Sequence, residues 1–428
     1  MSLLIKNGHV VDPANGLNET MDILVENALI SKVAKEIKAV AETVIDAADK
    51  IVMPGLVDMH VHLREPGRED KETIASGTKA GLKGGVTSVL AMPNTIPPID
   101  DIDRVKLLKE IIRKTACSNV FIAAAITAGR LGQEIVDIAR LKKEGVIAFS
   151  DDGDSVENDE IMLDALKKAK EEKLLVICHS EDRKLSNQGV VNLGFISTQM
   201  GLRGISQESE FKRVQRDIEL AAQAGACIHI AHVSCKESVE WIAKAKKKGV
   251  CVTAETAPHY FSLTEEAVLG YDTNMKINPP LRGKEDVKAI REGLKNGTID
   301  CIASDHAPHT ESEKEIEFDR AEFGVIGLET ELSVSITELV ETGLLDWVSL
   351  VEKLSLNPAK ILRLDKGTLG IGREADIAII DPRKEWKVTK MSFVSKSRNS
   401  CFIGRTLKGV MDYAICGGKI AYKNVERP

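Results

Sequence analysis

The segment PGLVDMHVHLREPG, residues 54–67, ends an apolar run with two histidines and an arginine. Side chains alternate along a β-strand, so His60 and His62 share one face and lie about 6–7 Å apart along the backbone. Imidazoles at that spacing can bind one divalent cation. Arg64 follows on the same segment and offers a planar guanidinium to a carboxylate. The segment therefore predicts a metal site, and Arg64 beside it can be read either as an anion-binding group or as a solvated loop charge.

Polar side chains end several other apolar runs of the chain. They are Asn94, Asp151, Asp152, His179, His232 and Asp305. In a barrel of parallel strands, the carboxyl ends of the strands meet at one rim, where barrel enzymes carry their chemistry. Histidines and carboxylates gathered there suit zinc or another borderline divalent cation. We therefore expect the histidines and carboxylates of this set to form a metal centre.

The segment FSDDG offers two adjacent carboxylates, Asp151 and Asp152, of which only one can point inward. We predict that Asp152 points inward and bridges two cations, although DDG can also be read as a simple turn after the strand. Each cation would be held by one histidine pair, His60 with His62 and His179 with His232. His229 has the opposite parity from His232, so we predict that it faces the helix layer and is structural.

A pair of divalent cations lowers the pKa of a water that bridges them and supplies hydroxide at neutral pH. This nucleophile attacks a carbonyl carbon. We expect Asp305 to take the proton as general base and to return it to the leaving nitrogen as general acid. The predicted chemistry is therefore metal-assisted hydrolysis of an amide, or the reverse reaction.

The elements that must position these residues follow a repeating pattern. Between residues 54 and 366, eight short β-type runs alternate with helix-like segments. This alternation predicts an α/β fold, a (β/α)8 TIM-like barrel over 54–366, with a doubly wound open sheet as the structural alternative. Residues 1–53 and 367–428 instead carry short strands separated by Gly-rich and Asn-Gly turns. We expect these two ends to form a smaller, composite β-sandwich domain.

The composition is that of a globular protein, with 43% hydrophobic and 29% charged residues in 428. A net charge of −7 provides no general attraction for nucleic acid or anionic membranes. No apolar stretch reaches the roughly 18 residues of a membrane span, and the N-terminus does not resemble a signal peptide. Most of the eight cysteines fall in apolar runs, among them Cys178, Cys227, Cys251 and Cys301. We therefore expect buried, reduced thiols in a cytoplasmic protein.

A set of short segments carries a family resemblance that covers nearly the whole chain. They are DMHVHLREPG, AMPNT, SDDG, CHSED, AHVS, AETAPHY, KINPPLR, ASDHAPH and FGVIGLET. Together they resemble the dihydroorotase family of the longer bacterial and archaeal type, within the amidohydrolase superfamily. The resemblance implies the reversible cyclisation of N-carbamoyl-L-aspartate to L-dihydroorotate plus water in de novo pyrimidine (UMP) biosynthesis. It also implies zinc as the cofactor, with a pair of ions in each subunit.

The resemblance implies roles for individual residues as well. The metal ligands are His60, His62, Asp152, His179, His232 and Asp305, with Asp152 as the bridge. The substrate carboxylate is held by Arg64, Asn94 and His309. The ring amide edge is held by Asn278 and the backbone of Phe323 and Gly324, and His62 also adjoins the substrate.

One feature departs from the wider superfamily, in which many two-metal members bridge their cations with a carboxylated lysine on the fourth barrel strand. The segment GVIAFSDDG has no lysine. Its absence argues against the ring amidases that act on hydantoins and dihydropyrimidines, which are the first alternative function. The second alternative is a catalytically inactive scaffold for aspartate carbamoyltransferase. As partners we consider the small-molecule substrate, a homodimer and a complex with that transferase.

The segment after the last predicted barrel strand, residues 310–327, is long and acidic and contains Gly324 and Gly327. It can be read as a lid that excludes water when substrate binds. It can equally be read as a static surface loop with a charged flank. The sequence leaves both readings open.

Overall fold

The computed structural model describes residues 2–424. Met1 and residues 425–428, which the sequence assigns to the composite β-domain, lie outside the described residues. In chain order, the strands are β1 (Ser2–Asp12), β2 (Leu17–Glu26), β3 (Leu29–Ala34), β4 (Thr43–Asp46), β5 (Ile51–Pro54), β6 (Leu56–Val61), β7 (Val86–Ala91), β8 (Asn119–Ala124), β9 (Val146–Phe149), β10 (Leu175–Cys178), β11 (Val191–Asn192), β12 (Gly204–Ile205), β13 (Ile228–Ile230), β14 (Val252–Thr256), β15 (Cys301–Ile302), β16 (Ile377–Lys387), β17 (Thr406–Cys416) and β18 (Lys419–Lys423).

The α-helices of the described residues mostly alternate with strands β6 to β15 along the chain. They are α1 (Ile74–Gly84), α2 (Ile102–Thr115), α3 (Ile138–Lys143), α4 (Asp159–Glu171), α5 (Arg183–Ser186), α6 (Phe195–Met200), α7 (Gln207–Ala224), α8 (Lys236–Lys247), α9 (Pro258–Ser262), α10 (Lys284–Asn296), α11 (Glu311–Lys314), α12 (Glu331–Ser335), α13 (Trp347–Val351) and α14 (Asn357–Ile361). Two π-helical segments, Ile336–Val340 and Glu352–Leu356, directly follow α12 and α13.

Eight strands form the parallel sheet that carries the rim. Their order is β6, β7, β8, β9, β10, β13, β14 and β15. The last and first strands approach through a parallel bridge between Val61 and His306, and the His62 N–H donates to the His306 carbonyl at 2.9 Å. The prediction of a (β/α)8 barrel is therefore confirmed, and the alternative of a doubly wound open sheet is wrong.

Helices cover the outside of the barrel and begin where side chains cap them. Asp101 accepts a hydrogen bond from the Arg104 amide and starts α2, and Asn158 accepts from the first turn of α4. The buried faces of these helices, such as Val105 and Leu108 on α2, pack against the strands in the main apolar core. Among residues 2–424, none of the helices combines the length and the apolar composition needed to cross a membrane.

The N- and C-terminal segments share a second eight-stranded sheet. Its order is β18, β17, β16, β5, β1, β2 and β3, with β4 paired to β1. The two ends of the chain meet where β5 pairs antiparallel with β16, for example at Val52 and Ile379. Ile5, Ile23 and Ile377 lie in the separate apolar core of this unit. We propose that it corresponds to the composite domain, residues 1–53 with 367–428, and that residues 54–366 form the barrel domain.

The cysteines correct one expectation. Cys227 and Cys251 form a disulfide, and Cys251 is exposed, so the prediction of buried, reduced thiols is wrong for this pair. It is also wrong for Cys117, which is free but exposed. The physical reason is their position. Cys227 and Cys251 come directly before the first residues of the adjacent strands β13 and β14, where the chain is still outside the apolar core.

Arg282, at the end of the KINPPLR segment, is a fully buried cation that ties several elements together. Its guanidinium donates to the Asn192 side chain at 2.8 Å, to the Ile205 carbonyl at 3.0 Å and to the Ser234 hydroxyl at 3.1 Å. It also lies 3.4 Å from the Glu210 carboxylate, and both side chains are almost entirely buried. A buried charge of this kind is tolerated only because each polar atom has a partner.

We expect Arg282→Met to destabilise the fold by about 3–5 kcal/mol, because it leaves the Glu210 carboxylate buried without its cation. The measurement is the urea midpoint and the unfolding temperature. Lys212→Met is the matched control, since Lys212 forms an exposed pair with Glu208, and such pairs contribute less than about 1 kcal/mol. Equal unfolding temperatures for the two variants would contradict the role of Arg282.

Candidate active site

Asp152 lies at the centre of the predicted metal ligands, just beyond the end of β9. One oxygen, Oδ1, lies 3.2 Å from His60 Nε2, 3.7 Å from His179 Nδ1 and 3.6 Å from His232 Nε2. The other, Oδ2, lies 3.4 Å from His62 Nε2. One carboxylate thus faces both histidine pairs, which is the arrangement that a bridging ligand requires.

Asp305 adjoins the first histidine pair from the far end of the barrel sheet. Its Oδ1 lies 3.3 Å from His62 Nε2 and 3.7 Å from His60 Nε2. Across the site, His179 Nδ1 and His232 Nε2 lie 2.8 Å apart. The six side chains predicted as metal ligands therefore converge at one rim of the barrel, and all are buried.

Three of the four histidines have an oxygen acceptor behind them. His60 Nδ1 donates to Glu255 at 2.6 Å, and His62 Nδ1 donates to the side-chain oxygen Oδ1 of Asn94 at 2.7 Å. His179 Nε2 donates to Glu181 at 3.2 Å. Each contact places the ring proton on the outer nitrogen and leaves a lone pair on the nitrogen that faces Asp152.

The donor set fits divalent cations. His60, His62 and Asp305 each offer a ligand atom within 4.8 Å of the others, and His60, Asp152 and His232 form a second such group. His60 Nε2 and Asp152 Oδ1 are buried and have no hydrogen bond of acceptable geometry, although they lie close together. Buried polar atoms left in this state are what a cation would satisfy.

The charge states of Asp152 and His62 agree with this reading. Burial alone raises the pKa of Asp152, but the His60, His232 and His62 side chains oppose it and bring the pKa well below its usual value. Burial lowers the pKa of His62, despite the opposing effect of Asp305, so this imidazole is neutral at neutral pH. Carboxylates and neutral imidazoles are the forms that bind metals.

Burial lowers the pKa of His60, but the carboxylates of Asp152 and Glu255 oppose it and bring the pKa well above its usual value. Burial also lowers the pKa of His179, but the carboxylates of Glu181 and Asp152 oppose it and bring the pKa above its usual value. A cation would therefore displace a proton from these two imidazoles.

A group of nitrogen donors lies beside the metal ligands. Arg64 Nε donates to the Pro308 carbonyl at 3.1 Å, which turns its terminal nitrogen Nη2 toward His309 Nε2 at 3.3 Å. Lys71 Nζ lies 3.0 Å from His309 Nδ1. An ammonium group can only donate, so His309 Nδ1 accepts and Nε2 carries the ring proton. In this tautomer the His309 Nε2–H and the Arg64 guanidinium are both available to an anion in the cavity, and the Glu313 carboxylate lies on the other side of the ring, 3.6 Å from His309 Nδ1.

These groups open into one cavity of about 230 Å³. Its lining includes every residue predicted to bind metal or substrate except the innermost ligand, His60. The lining residues predicted from the sequence are His62, Arg64, Asn94, Asp152, His179, His232, Asn278, Asp305, His309, Phe323 and Gly324. Asn278 Nδ2 also donates to Glu181 at 3.0 Å, which fixes this amide beside the second histidine pair.

The orientation predicted for His229 is wrong. It lies inside the barrel, 3.3 Å from Glu255, and does not face the helix layer. Alternation failed because β13 ends at Ile230 and His232 follows with φ of 34°, so parity along the strand does not extend to His232. Asp151 points away from the metal ligands and accepts hydrogen bonds from Thr127.

Sequence reasoning missed Lys71, Glu181 and Glu255, each of which contacts a predicted site residue. Glu181 and Glu255 stand within segments that carried the resemblance, CHSED and AETAPHY, and that was the only signal for them. Lys71 follows the first barrel strand at a distance that no spacing rule connects to His309.

The segment 310–327 is tethered at several points. Glu313 pairs with Lys71 at 3.0 Å and with Arg68 at 2.6 Å. Within the segment, Lys314 donates to the carbonyls of Glu322 and Gly324, and the Lys314 carbonyl accepts a hydrogen bond from the Thr273 hydroxyl outside it at 2.5 Å. These contacts favour the static loop over the mobile lid.

Comparison with known proteins gives concordant results. Residues 49–238 match a family model described as dihydro-orotase-like. A curated dihydroorotase of Elusimicrobium minutum is 53% identical over 424 residues, 99% of this chain and 98% of that protein. A dihydroorotase of Geobacter metallireducens is 50% identical over 99% of this chain and 100% of its own length.

Solved structures that share this fold include hydantoinases and dihydropyrimidinases. An L-hydantoinase (dihydropyrimidinase) from Arthrobacter aurescens matches with a TM-score of 0.90 and 25% identity, over 100% of this chain and 97% of that chain. A dihydropyrimidinase from Brevibacillus agri matches with a TM-score of 0.86 and 24% identity, over 99% and 95%, which shows the fold alone. Sequence identity to the dihydroorotases is about twice as high and extends over the full length, and the chain belongs to the dihydroorotase family.

Proposed function

We propose that this chain is a dihydroorotase, which interconverts N-carbamoyl-L-aspartate and L-dihydroorotate plus water in de novo pyrimidine (UMP) biosynthesis. The observation that carries the proposal is the pair of opposed donors at Arg64 and His309, next to a cluster of metal ligands. A carboxylate attached to a cyclic amide matches this layout, because the anion and the reacting carbonyl lie on the same small ring. Family membership supports the same reaction.

We propose zinc as the cofactor, as a pair of ions. His60, His62 and Asp305 would hold one ion, and His179 and His232 the other, with Asp152 shared between them. Such ions, when bound, lower the pKa of water and polarise a carbonyl. No lysine lies on β9, so the shared ligand is an aspartate.

The substrate is oriented by the chain's own donors. Arg64 and His309 bind its carboxylate, and the free amide nitrogen of Asn94, whose oxygen is occupied by His62, faces the same cavity. Asn278 and the backbone of Phe323 and Gly324 also line this cavity, where they would adjoin the ring amide. Burial lowers the pKa of Arg64 to about 10, against the opposing effect of Asp305, so it remains a cation at neutral pH.

Asp305 moves the proton. Burial raises its pKa, but the contact with His62 and the charges of His60 and His232 oppose this, and the net pKa lies below its usual value. It is therefore a carboxylate at neutral pH and can accept the proton of the attacking water. During ring opening it returns that proton to the amide nitrogen as the carbon–nitrogen bond breaks, and the carbonyl carbon becomes a carboxylic acid group that loses its own proton to solvent.

The other proposals concern the setting of the enzyme. We propose a cytoplasmic enzyme, because its substrates belong to biosynthesis, although the Cys227–Cys251 disulfide is uncommon in that compartment. A homodimer and a complex with aspartate carbamoyltransferase remain proposals from the family resemblance. The inactive-scaffold alternative is disfavoured because the predicted ligands are all present and converge.

The test of the proposed function is metal analysis of the purified protein combined with assays in both directions. We expect about two zinc ions per chain, hydrolysis of dihydroorotate, and cyclisation of carbamoyl aspartate. A neutral ring such as dihydrouracil, which lacks the carboxylate, should be a poor substrate. Turnover of dihydrouracil or hydantoin without turnover of dihydroorotate would favour the cyclic-amidase alternative.

We expect Asp305→Asn to lower turnover by at least about 10²-fold, since it keeps the shape of the side chain and removes the proton acceptor. The rate is measured per bound metal, because the substitution also weakens one ligand. Asp319→Asn, at an exposed position of segment 310–327, is the control and should leave the rate unchanged. Near-normal turnover of Asp305→Asn would remove Asp305 from the proposed proton transfer.

We expect Arg64→Met to act mainly on substrate affinity and to raise KM for both substrates roughly 10–100-fold, the effect of losing about 1.5–3 kcal/mol of charge-assisted hydrogen bonding. Arg68→Met is the control, because Arg68 lies on the same loop and pairs with Asp70 and Glu313 outside the cavity. Binding of dihydrouracil as an inhibitor should not change. Unaltered KM values in Arg64→Met would contradict its role at the carboxylate.

A further inference from the structure

The AETAPHY segment supplies a buried carboxylate that the proposed reaction does not use. Glu255, on β14, is 1% exposed and lies inside the barrel below the rim. His229, on the neighbouring strand β13, is also fully buried and lies beside it. Neither side chain lines the substrate cavity. Burying a carboxylate and an imidazole lowers the stability of the fold unless the two groups are paired with partners.

Glu255 contacts the innermost predicted metal ligand. Its Oε1 accepts a hydrogen bond from His60 Nδ1 at 2.6 Å. This contact holds the ring proton on Nδ1 and leaves the lone pair on Nε2, which lies 3.2 Å from Asp152 and 3.7 Å from Asp305. The carboxylate therefore selects the tautomer in which His60 can bind a cation between those two carboxylates.

The second oxygen of Glu255 lies beside His229. His229 Nε2 lies 3.3 Å from Glu255 Oε2, and His229 Nδ1 lies 2.8 Å from the Thr253 hydroxyl. His229 Nε2 and Glu255 Oε2 are close, but among residues 2–424 neither atom forms a hydrogen bond of acceptable geometry, with the other or with any further residue. The series Thr253, His229, Glu255 and His60 thus runs across the barrel interior and ends at the metal site.

We propose that Glu255, which has His229 beside it, is a positioning residue that fixes the tautomer and orientation of His60 and thereby sets the affinity of the first metal site. This inference rests on the proposed metal-dependent function. Glu255 touches neither substrate nor a metal, and it acts only through His60. Acceptors behind metal-binding histidines typically change metal affinity by 10–100-fold.

The test compares removal of the acceptor with its partial retention. Glu255→Met fills a similar volume without an acceptor, and Glu255→Gln keeps one neutral oxygen. Glu331 gives a matched control, because it is another fully buried carboxyl group and has no hydrogen-bond partner among the described residues. Zn²⁺ affinity of the metal-stripped full-length proteins is measured by competition with a chromogenic chelator. The visible spectrum of the Co²⁺-loaded proteins reports the ligand geometry.

We expect Glu255→Met to weaken one of the zinc sites roughly 10–100-fold and to alter the Co²⁺ spectrum. Glu255→Gln should lie between this variant and the parent protein, and His229→Asn should shift affinity in the same direction by a smaller factor. Glu331→Met should bind both metals as the parent protein does, whatever its effect on the unfolding temperature.

Several outcomes would overturn the inference. Parental zinc affinity and an unchanged Co²⁺ spectrum in both Glu255 variants would show that the contact with His60 does not act on the metal. Equal losses in Glu255→Met and Glu331→Met would show a general effect of disturbing the barrel interior. A parent protein that binds no zinc would overturn both this inference and the proposed cofactor, whereas zinc binding without dihydroorotate turnover would refute the proposed function alone.

Discussion

A single buried carboxylate, Asp152, sets the requirement that the rest of the site must meet. Four imidazoles approach its two oxygens at 3.2–3.7 Å, and they come from three different barrel strands. A carboxylate removed from water is retained only where positive charge or hydrogen-bond donors compensate it. The closed barrel provides this compensation, because it fixes the ends of distant strands relative to one another more rigidly than loops could.

The backbone also departs from regular geometry at this rim. Arg64, His232 and Asp305 adopt positive φ angles of 63°, 34° and 48°. Such conformations cost of order 1–3 kcal/mol each for residues with a Cβ, and they persist where surrounding contacts determine them. Here they turn side chains out of the strand alternation and toward the cavity. The strain therefore lies at the residues proposed to act on metal and substrate.

The sequence predicted the barrel and the convergence of its polar strand ends, because both depend on local patterns. Apolar runs alternate with helical segments, and the rim residues follow those runs directly. The sequence did not predict contacts that depend on how two strands align. The Cys227–Cys251 pair follows from the register that sets Ile228 beside Val252, and that register is absent from either run alone.

The same limit explains the misplaced His229 and the missed Glu255. Parity predicts a side chain's direction only while the strand continues, and β13 ends before His232. Glu255 reads as an ordinary residue within AETAPHY until the barrel brings β14 around to face β6. The side chains proposed to contact a metal or substrate were predictable from their own segments. The residues behind them became visible only in three dimensions.

The separation between the proposed metal ligands and the proposed anion donors would let this site select a carboxylate on a fold that hydantoinases and dihydropyrimidinases share. Lys71 Nζ donates a hydrogen bond to His309 Nδ1. The ring proton of His309 is therefore on Nε2, which faces the Arg64 guanidinium. A neutral ring has no carboxylate to accept hydrogen bonds from these donors. Its binding would remove water from them without supplying an acceptor, which lowers the affinity for a neutral ring. Lys71 is in turn paired with Glu313, so the segment 310–327 and the anion pocket depend on the same ammonium group. In the proposed site, specificity would therefore come as much from the cost of leaving the Arg64 and His309 donors without an acceptor as from favourable contacts with the ring.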